Sequence, residues 1–246
     1  MSLRIALLNA AHDGEENRRN FRRELDADLV EYDATERELP DTVAFDACLV
    51  TGSRASVYWD EPWIAALTEW VRDAIDRGLP FLGVCFGHQL LAHALGGRVE
   101  PMDDYEIGYR TVEHDGENEL LAGVDDEFTV FTTHSDTVAE LPPDATQFAE
   151  NDYGVHGFRK GDVFAVQFHP EYDAETAREI AASKNQLADE RVERVLADIT
   201  EANYRAACEA KRLFDNFTEY VRTTQRGVGD ELAAGAADGV VAGDDD

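Results

Sequence analysis

Leu3-Arg-Ile-Ala-Leu-Leu-Asn9 is a nearly continuous apolar run, the pattern of a strand covered on both faces. A charged stretch predicts a helix over about Glu16 to Ala27, and Leu29 to Asp33 reads as a second strand. Phe45 to Ser53 predicts a third, ended by a Gly-Ser turn. Asp60-Glu-Pro then opens a helix to about Arg77, with Ile64, Leu67, Val71 and Ile75 at helical spacing and Gly78 as its stop. Pro80 to Val84 follows as a short buried strand, and a helix runs from Gly87 to about Leu95. The order strand, helix, strand, strand, helix, strand, helix predicts an α/β protein. Its core would be a doubly wound, mostly parallel sheet flanked by helices, with right-handed crossovers.

After Gly97 the pattern changes. Arg98 to Glu100, Gly108 to His114, Glu127 to Thr133, Thr137 to Glu140, Gln147 to Asn151 and Val155 to Arg159 are short β-rich segments separated by Asp, Gly and Pro. They predict antiparallel additions to the sheet, with Val163 to Phe168 returning as a buried strand. Beyond Asp173 the chain reads as helical to about Arg226. Its apolar positions Leu187, Val192, Val195, Leu196, Ile199, Tyr204, Leu213, Phe214, Phe217 and Val221 are expected to pack one face on the sheet. Residues 1–226 are thus expected to form one domain with a helical C-terminal extension over 174–226. Residues 227–246 hold six acidic and no basic residues among Gly and Ala, and are expected to be disordered.

Charge narrows the partners. The 246 residues include 52 acidic and 22 basic ones, a net charge of −30, with lysine only at Lys160, Lys184 and Lys211. Such a surface repels nucleic acid and anionic membranes. Because the acidity is spread over the chain, we attribute it to a saline cytoplasm, where a Debye length of about 3 Å at 1 M salt screens the self-repulsion. Three widely spaced cysteines, Cys48, Cys85 and Cys208, argue for a reducing compartment, and no apolar run is long enough to span a bilayer. The expected location is cytoplasmic.

The candidate chemistry centres on Gly83-Val-Cys-Phe-Gly87. A cysteine on a sharp strand-to-helix turn, with glycines two residues away on each side, is the thiol counterpart of the elbow that carries a nucleophilic serine in other hydrolases. The following helix turns its free N–H groups toward the sulfur and favours thiolate. A cysteine nucleophile needs a base and a group that orients the base. His169-Pro-Glu171, directly after the buried strand ending at Phe168, supplies both. Cys48 reads as core. His88 and His93 are five apart on one helix, a poor spacing for a shared metal, and His12, His114 and His156 read as surface residues in polar segments. Neither zinc-type Cys/His spacing nor a phosphate loop is present, so no metal and no cofactor are assigned.

Gly83-Val-Cys-Phe-Gly-His-Gln89 together with Phe168-His-Pro-Glu171 resembles the class-I glutamine amidotransferase domain. Thr51-Gly-Ser53, Ala94-Leu-Gly-Gly97, Glu106-Ile-Gly108 and His134-Ser-Asp136 match it in order. The resemblance implies the family's flavodoxin-like fold and a Cys85-His169-Glu171 triad that hydrolyses the side-chain amide of glutamine. It also implies backbone N–H groups of Gly52 and Phe86 as the oxyanion hole, and Gln89, Ser135 and Asp136 as substrate contacts. Thr51 to Tyr58 followed by Asp60-Glu-Pro-Trp63 is similar to free-standing proteins called GMP-synthase-like, which implies ammonia passed to a separate synthetase. Two other readings of the same residues are a stand-alone γ-glutamyl hydrolase or peptidase, and a binding or regulatory protein without turnover. The charge reading yields a first prediction: the melting temperature rises between dilute buffer and molar KCl, and an unchanged value counts against salt adaptation.

Overall fold

The computed structural model describes residues 2–12 and 14–224, so the acidic segment expected to be disordered lies outside the described residues. Five strands form the parallel part of one sheet: β1 (Arg4–Asn9), β2 (Asp28–Asp33), β3 (Ala47–Val50), β4 (Phe81–Val84) and β9 (Val163–Val166). Four more extend it antiparallel: β5 (Arg98–His114), β6 (Glu127–Glu140), β7 (Thr146–Asn151) and β8 (Gly154–Lys160). The spatial order is β2-β1-β3-β4-β9-β8-β7-β5-β6. Helices α1 (Glu15–Glu24), α2 (Pro62–Asp76), α3 (Phe86–Ala94), α4 (Ala174–Ala182), α5 (Asp189–Asp198), α6 (Glu201–Ala207) and α7 (residues 212–224) cover it. None of the described helices is long and apolar enough to cross a membrane.

The apolar runs follow from a sheet covered on both faces. Along β1, Ile5 and Leu7 enter one core with Phe21 of α1 and Phe214 and Phe217 of α7, while Ala6 and Leu8 enter the other with α2 and α3. Pro62 starts α2, and its Ile64, Leu67, Val71 and Ala74 are buried one or two turns apart. Each such fully buried large side chain is worth about 1.5–3 kcal/mol, so packing on the sheet holds these helices in place.

Two expectations need correction. The segments around Arg98–His114 are one continuous strand, as are those within β6, because the two pair along nearly their whole length. Residues 102–105 bulge out between Pro101 and Glu106 opposite Ser135, so the Asp-rich turn signal marks a bulge, and His134 to Asp136 lie within β6. The helical end packs on the sheet in two separate places, as its apolar positions predict. α7 joins the main core through Leu213, Phe214, Phe217 and Val221. Val195 of α5 and Ile199 instead build a separate cluster with Ala177, Ala181, Ile107 and Phe131 against the β5–β6 pair.

The turn between β4 and α3 is tight. A Cβ on Gly87 would stand 2.2 Å from the backbone oxygen of Val50, so α3 lies directly against β3 only because that atom is missing. Gly87→Ala is expected to destabilise the fold: overpacking of about 1–3 kcal/mol exceeds the roughly 1 kcal/mol that alanine gains over glycine in a helix. The denaturant midpoint checks this, and an unchanged or raised midpoint contradicts the close approach.

Candidate active site

Cys85 joins β4 to α3 with φ 55 and ψ −103, a positive φ that a side-chain-bearing residue rarely adopts. Its N–H donates to Val166 O at 2.9 Å, and its carbonyl accepts from Gln89 N at 3.1 Å, which begins the helix. The thiol is thereby fixed at the C-terminal edge of the parallel strands, where open α/β sheets place ligands.

The chain leaving β9 runs past the same edge. Gln167 N donates to His156 O at 3.0 Å and His169 N to Phe131 O at 2.9 Å, so strands β8 and β6 set the position of the imidazole. His169 Nδ1 meets Glu171 Oε1 at 2.8 Å, both side chains almost wholly buried. Arg23 of α1 locks the turn, donating to Glu171 O at 2.5 Å and pairing with Asp173 at 2.6 Å. The ring stacks on Tyr172, centroids 4.1 Å apart, and its Nε2 makes no hydrogen bond. Burial opposes a charged ring here, yet Glu171 and the charge on Cys85 outweigh it and raise the His169 pKa to about 10. Gly52 closes the group: a Cβ there would come 2.9 Å from His169 Cε1 and 3.6 Å from Cys85 Cβ.

Two openings meet at Cys85. A recess of about 130 Å³ is lined by Gln89, Tyr105, Thr133, Ser135, Asp136 and Lys184 as well as the cysteine. A larger cleft of about 590 Å³ includes Gly52, Cys85, His169 and Lys184. The predicted residues are therefore brought together, with Phe86 as the first residue of α3. Gln89 is buried, its amide group donating to Asp136 O at 3.1 Å and Gln167 Oε1 at 3.0 Å. Ser135 is exposed, whereas the Asp136 carboxylate is buried and accepts from Ser56 Oγ at 2.5 Å and Tyr58 OH at 2.8 Å.

His156 departs from its expected surface position. It is buried in β8, its Nε2 3.1 Å from Glu106 Oε2, where His134 Nε2 also stands at 2.5 Å. Asn151 Nδ2 donates to the other Glu106 oxygen at 2.7 Å. Burial disfavours this carboxylate, but the two histidine hydrogen bonds hold its pKa well below the ordinary range. His134 Nδ1 in turn contacts Asp136 O at 2.9 Å. Among the described residues this is the group compact enough to hold a metal, and its atoms also stand at hydrogen-bond lengths from one another. It is a buried hub that fixes the β6 wall of the recess. His88 is a core residue of α3, its Nδ1 3.1 Å from Gln167 Oε1 and its pKa lowered to about 3 by burial. Cys48 is buried in β3, where burial pushes its thiol up.

Sequence reasoning missed the hub, Tyr105 and Lys184. The spacing of two between His156 and Phe158, which puts both on one face of a strand, was the available signal for His156. For Lys184 it was the scarcity of lysine in the whole chain.

The profile described as glutamine amidotransferase class-I matches residues 17–186. A GMP synthase [glutamine-hydrolyzing] of Thermomicrobium roseum is 37% identical over 145 residues, 58% of this chain and 26% of that protein. The corresponding protein of Burkholderia vietnamiensis is 39% identical over 137 residues, 51% of this chain and 24% of its own length. The chain thus matches about a quarter of the length of these relatives. A crystal structure of a glutamine amidotransferase from Thermotoga maritima superposes with a TM-score of 0.75 at 25% identity, covering 90% of this chain and 98% of that one.

The His169 environment yields a prediction with a definite sign. The folded pKa lies above the ordinary 6.5, so the ring's contribution to stability is complete below pH 6.5 and is lost as the pH rises through about 10. NMR titration of the full chain is expected to show that midpoint in wild type and a clearly lower one in Glu171→Gln. Equal midpoints would remove Glu171 as the cause.

Proposed function

The chain belongs to the class-I glutamine amidotransferase family, and we propose that Cys85, His169 and Glu171 are its catalytic triad, hydrolysing the side-chain amide of glutamine. The observation that carries this is the buried 2.8 Å contact between His169 Nδ1 and Glu171, made while His169 lines the same cleft as Cys85. A ring held at Nδ1 has one nitrogen left for proton transfer.

In the first half-reaction the Cys85 thiolate attacks the amide carbon and a tetrahedral oxyanion forms. Backbone N–H groups of Phe86 and Gly52 receive it. At the first position of α3 an N–H has no acceptor within the helix, which supports that assignment. The carbon–nitrogen bond then breaks, the nitrogen takes a proton from His169 Nε2, and ammonia departs from a γ-glutamyl thioester. In the second half-reaction water gives a proton to His169 and attacks the thioester carbon. The carbon–sulfur bond breaks, releasing glutamate and restoring the thiolate. Glu171 orients the ring throughout and offsets its positive charge.

Gln89, Ser135 and Asp136 are the substrate contacts in this reading. With its N–H groups donated internally, Gln89 has its carbonyl oxygen left for a ligand. The relatives named GMP synthase support transfer of the ammonia to a separate synthetase. We read residues 1–226 as one such domain, with 174–226 as a helical extension. Three free cysteines fit a reducing cytoplasm, and the net charge of −30 fits a saline one.

Ammonia release from glutamine, assayed in high-salt buffer, tests the proposal. Cys85→Ala is expected to lower the rate more than about a thousandfold with the fold intact by circular dichroism. Equal rates for the two chains would exclude cysteine catalysis.

A further inference from the structure

Lys184 follows α4, beyond every motif recognised in the sequence. It is 9% exposed and lines both the recess that holds Cys85 and the cleft that holds His169. Its Nζ stands 5.1 Å over the Tyr105 ring and has no carboxylate or carbonyl partner. Ammonium groups on largely buried lysines are ordinarily paired, because one held without a counter-ion keeps part of the penalty of leaving water. Burial accordingly lowers its pKa to about 8, an effect that Cys85 opposes and Arg54 reinforces.

None of the neighbouring carboxylates pairs with Lys184. Asp136 is bound to Ser56 and Tyr58, and Glu171 to His169. Glu15 and Glu16 lie exposed along the rim of the wider cleft. Arg54, also in the recess, adds positive charge and donates to Ser183 Oγ at 3.0 Å. Tyr105 keeps its proton, burial raising its pKa to about 12, and its hydroxyl is 3.0 Å from Thr133 Oγ1. A chain of net charge −30 therefore presents two cations beside its nucleophile, and the buried one is unpaired. The recess, about 130 Å³, is smaller than the roughly 300–1,000 Å³ of drug-sized pockets and suits an amino-acid-sized ligand.

We propose that Lys184 is the carboxylate anchor of the substrate site: its ammonium receives the α-carboxylate of a γ-glutamyl substrate while the γ-carbonyl reaches Cys85. This deepens the amidotransferase reading and rests on it. In a recess walled by the Tyr105 ring, the charge-assisted contact is shielded from water and stronger than at the surface. It selects amides that carry a carboxylate four bonds from the reacting carbon.

Lys184→Met keeps most of the stem and removes the charge. Its KM for glutamine is expected to rise about 10- to 100-fold with kcat within about twofold, and Lys184→Arg to recover part of the loss. Preference for glutamine over 4-aminobutanamide, which lacks the α-carboxylate, should collapse in the same variant. A second measurement needs no turnover: alkylation of Cys85 followed by mass spectrometry of its peptide. The ratio of the iodoacetate to the iodoacetamide rate is expected to fall in Lys184→Met. A Lys184→Met chain with wild-type KM and wild-type alkylation ratio overturns the anchor while leaving ammonia release intact. If wild type releases no ammonia, the amidotransferase reading fails, and the alkylation ratio alone decides whether Lys184 draws carboxylates to Cys85.

Discussion

A charged imidazole buried between a carboxylate and a thiol is unstable unless all three are held rigidly, and much of the fold serves that end. Glu171 lies 2.8 Å from His169 with neither side chain open to water. Small displacements in so dry a place change the energy steeply. The supports accordingly come from several elements: β6 through Phe131 O, β8 through His156 O, and α1 through Arg23. The strained backbone of Cys85 belongs to the same requirement, since the parallel strands and α3 over-determine its conformation.

How far the sequence announces this depends on the range of the interaction. Burial on two faces writes continuous apolar runs into β1, β3, β4 and β9, and the glycines around Cys85 record a close approach within a few residues. Cys85 could be picked out in one motif at a strand end, and His169 and Glu171 together in a second. Glu106 and His156 are fifty residues apart and meet only after β5 and β8 join one sheet. His156 looked solvated because Asp152, Gly154 and Gly157 surround it, although it points inward from β8. The bulge at 102–105 was hidden for a related reason: Asp103 and Asp104 resemble a turn, and only pairing on both sides shows that the strand continues.

The electrostatics divide the molecule in two. A chain of net charge −30 encloses a small region where the buried Lys184 and His169 ring, with exposed Arg54 at the rim, gather positive charge around one sulfur. Neither part follows from the other. The exterior is a matter of average composition, whereas the interior depends on a few side chains whose water has been removed.

The bulge after Pro101 ties these parts together. Asp104 pairs with Arg191 of α5 at 2.6 Å, and Arg191 also donates to Tyr105 O. The Tyr105 ring and Lys184 thus reach the pocket on segments that pack on each other, while Cys85 and His169 ride on the sheet. One wall of the pocket accordingly rests on a scaffold other than the strand ends that carry Cys85 and His169. A change in the length of the helical segment or of its bulge would re-shape that wall, and with it what the pocket admits.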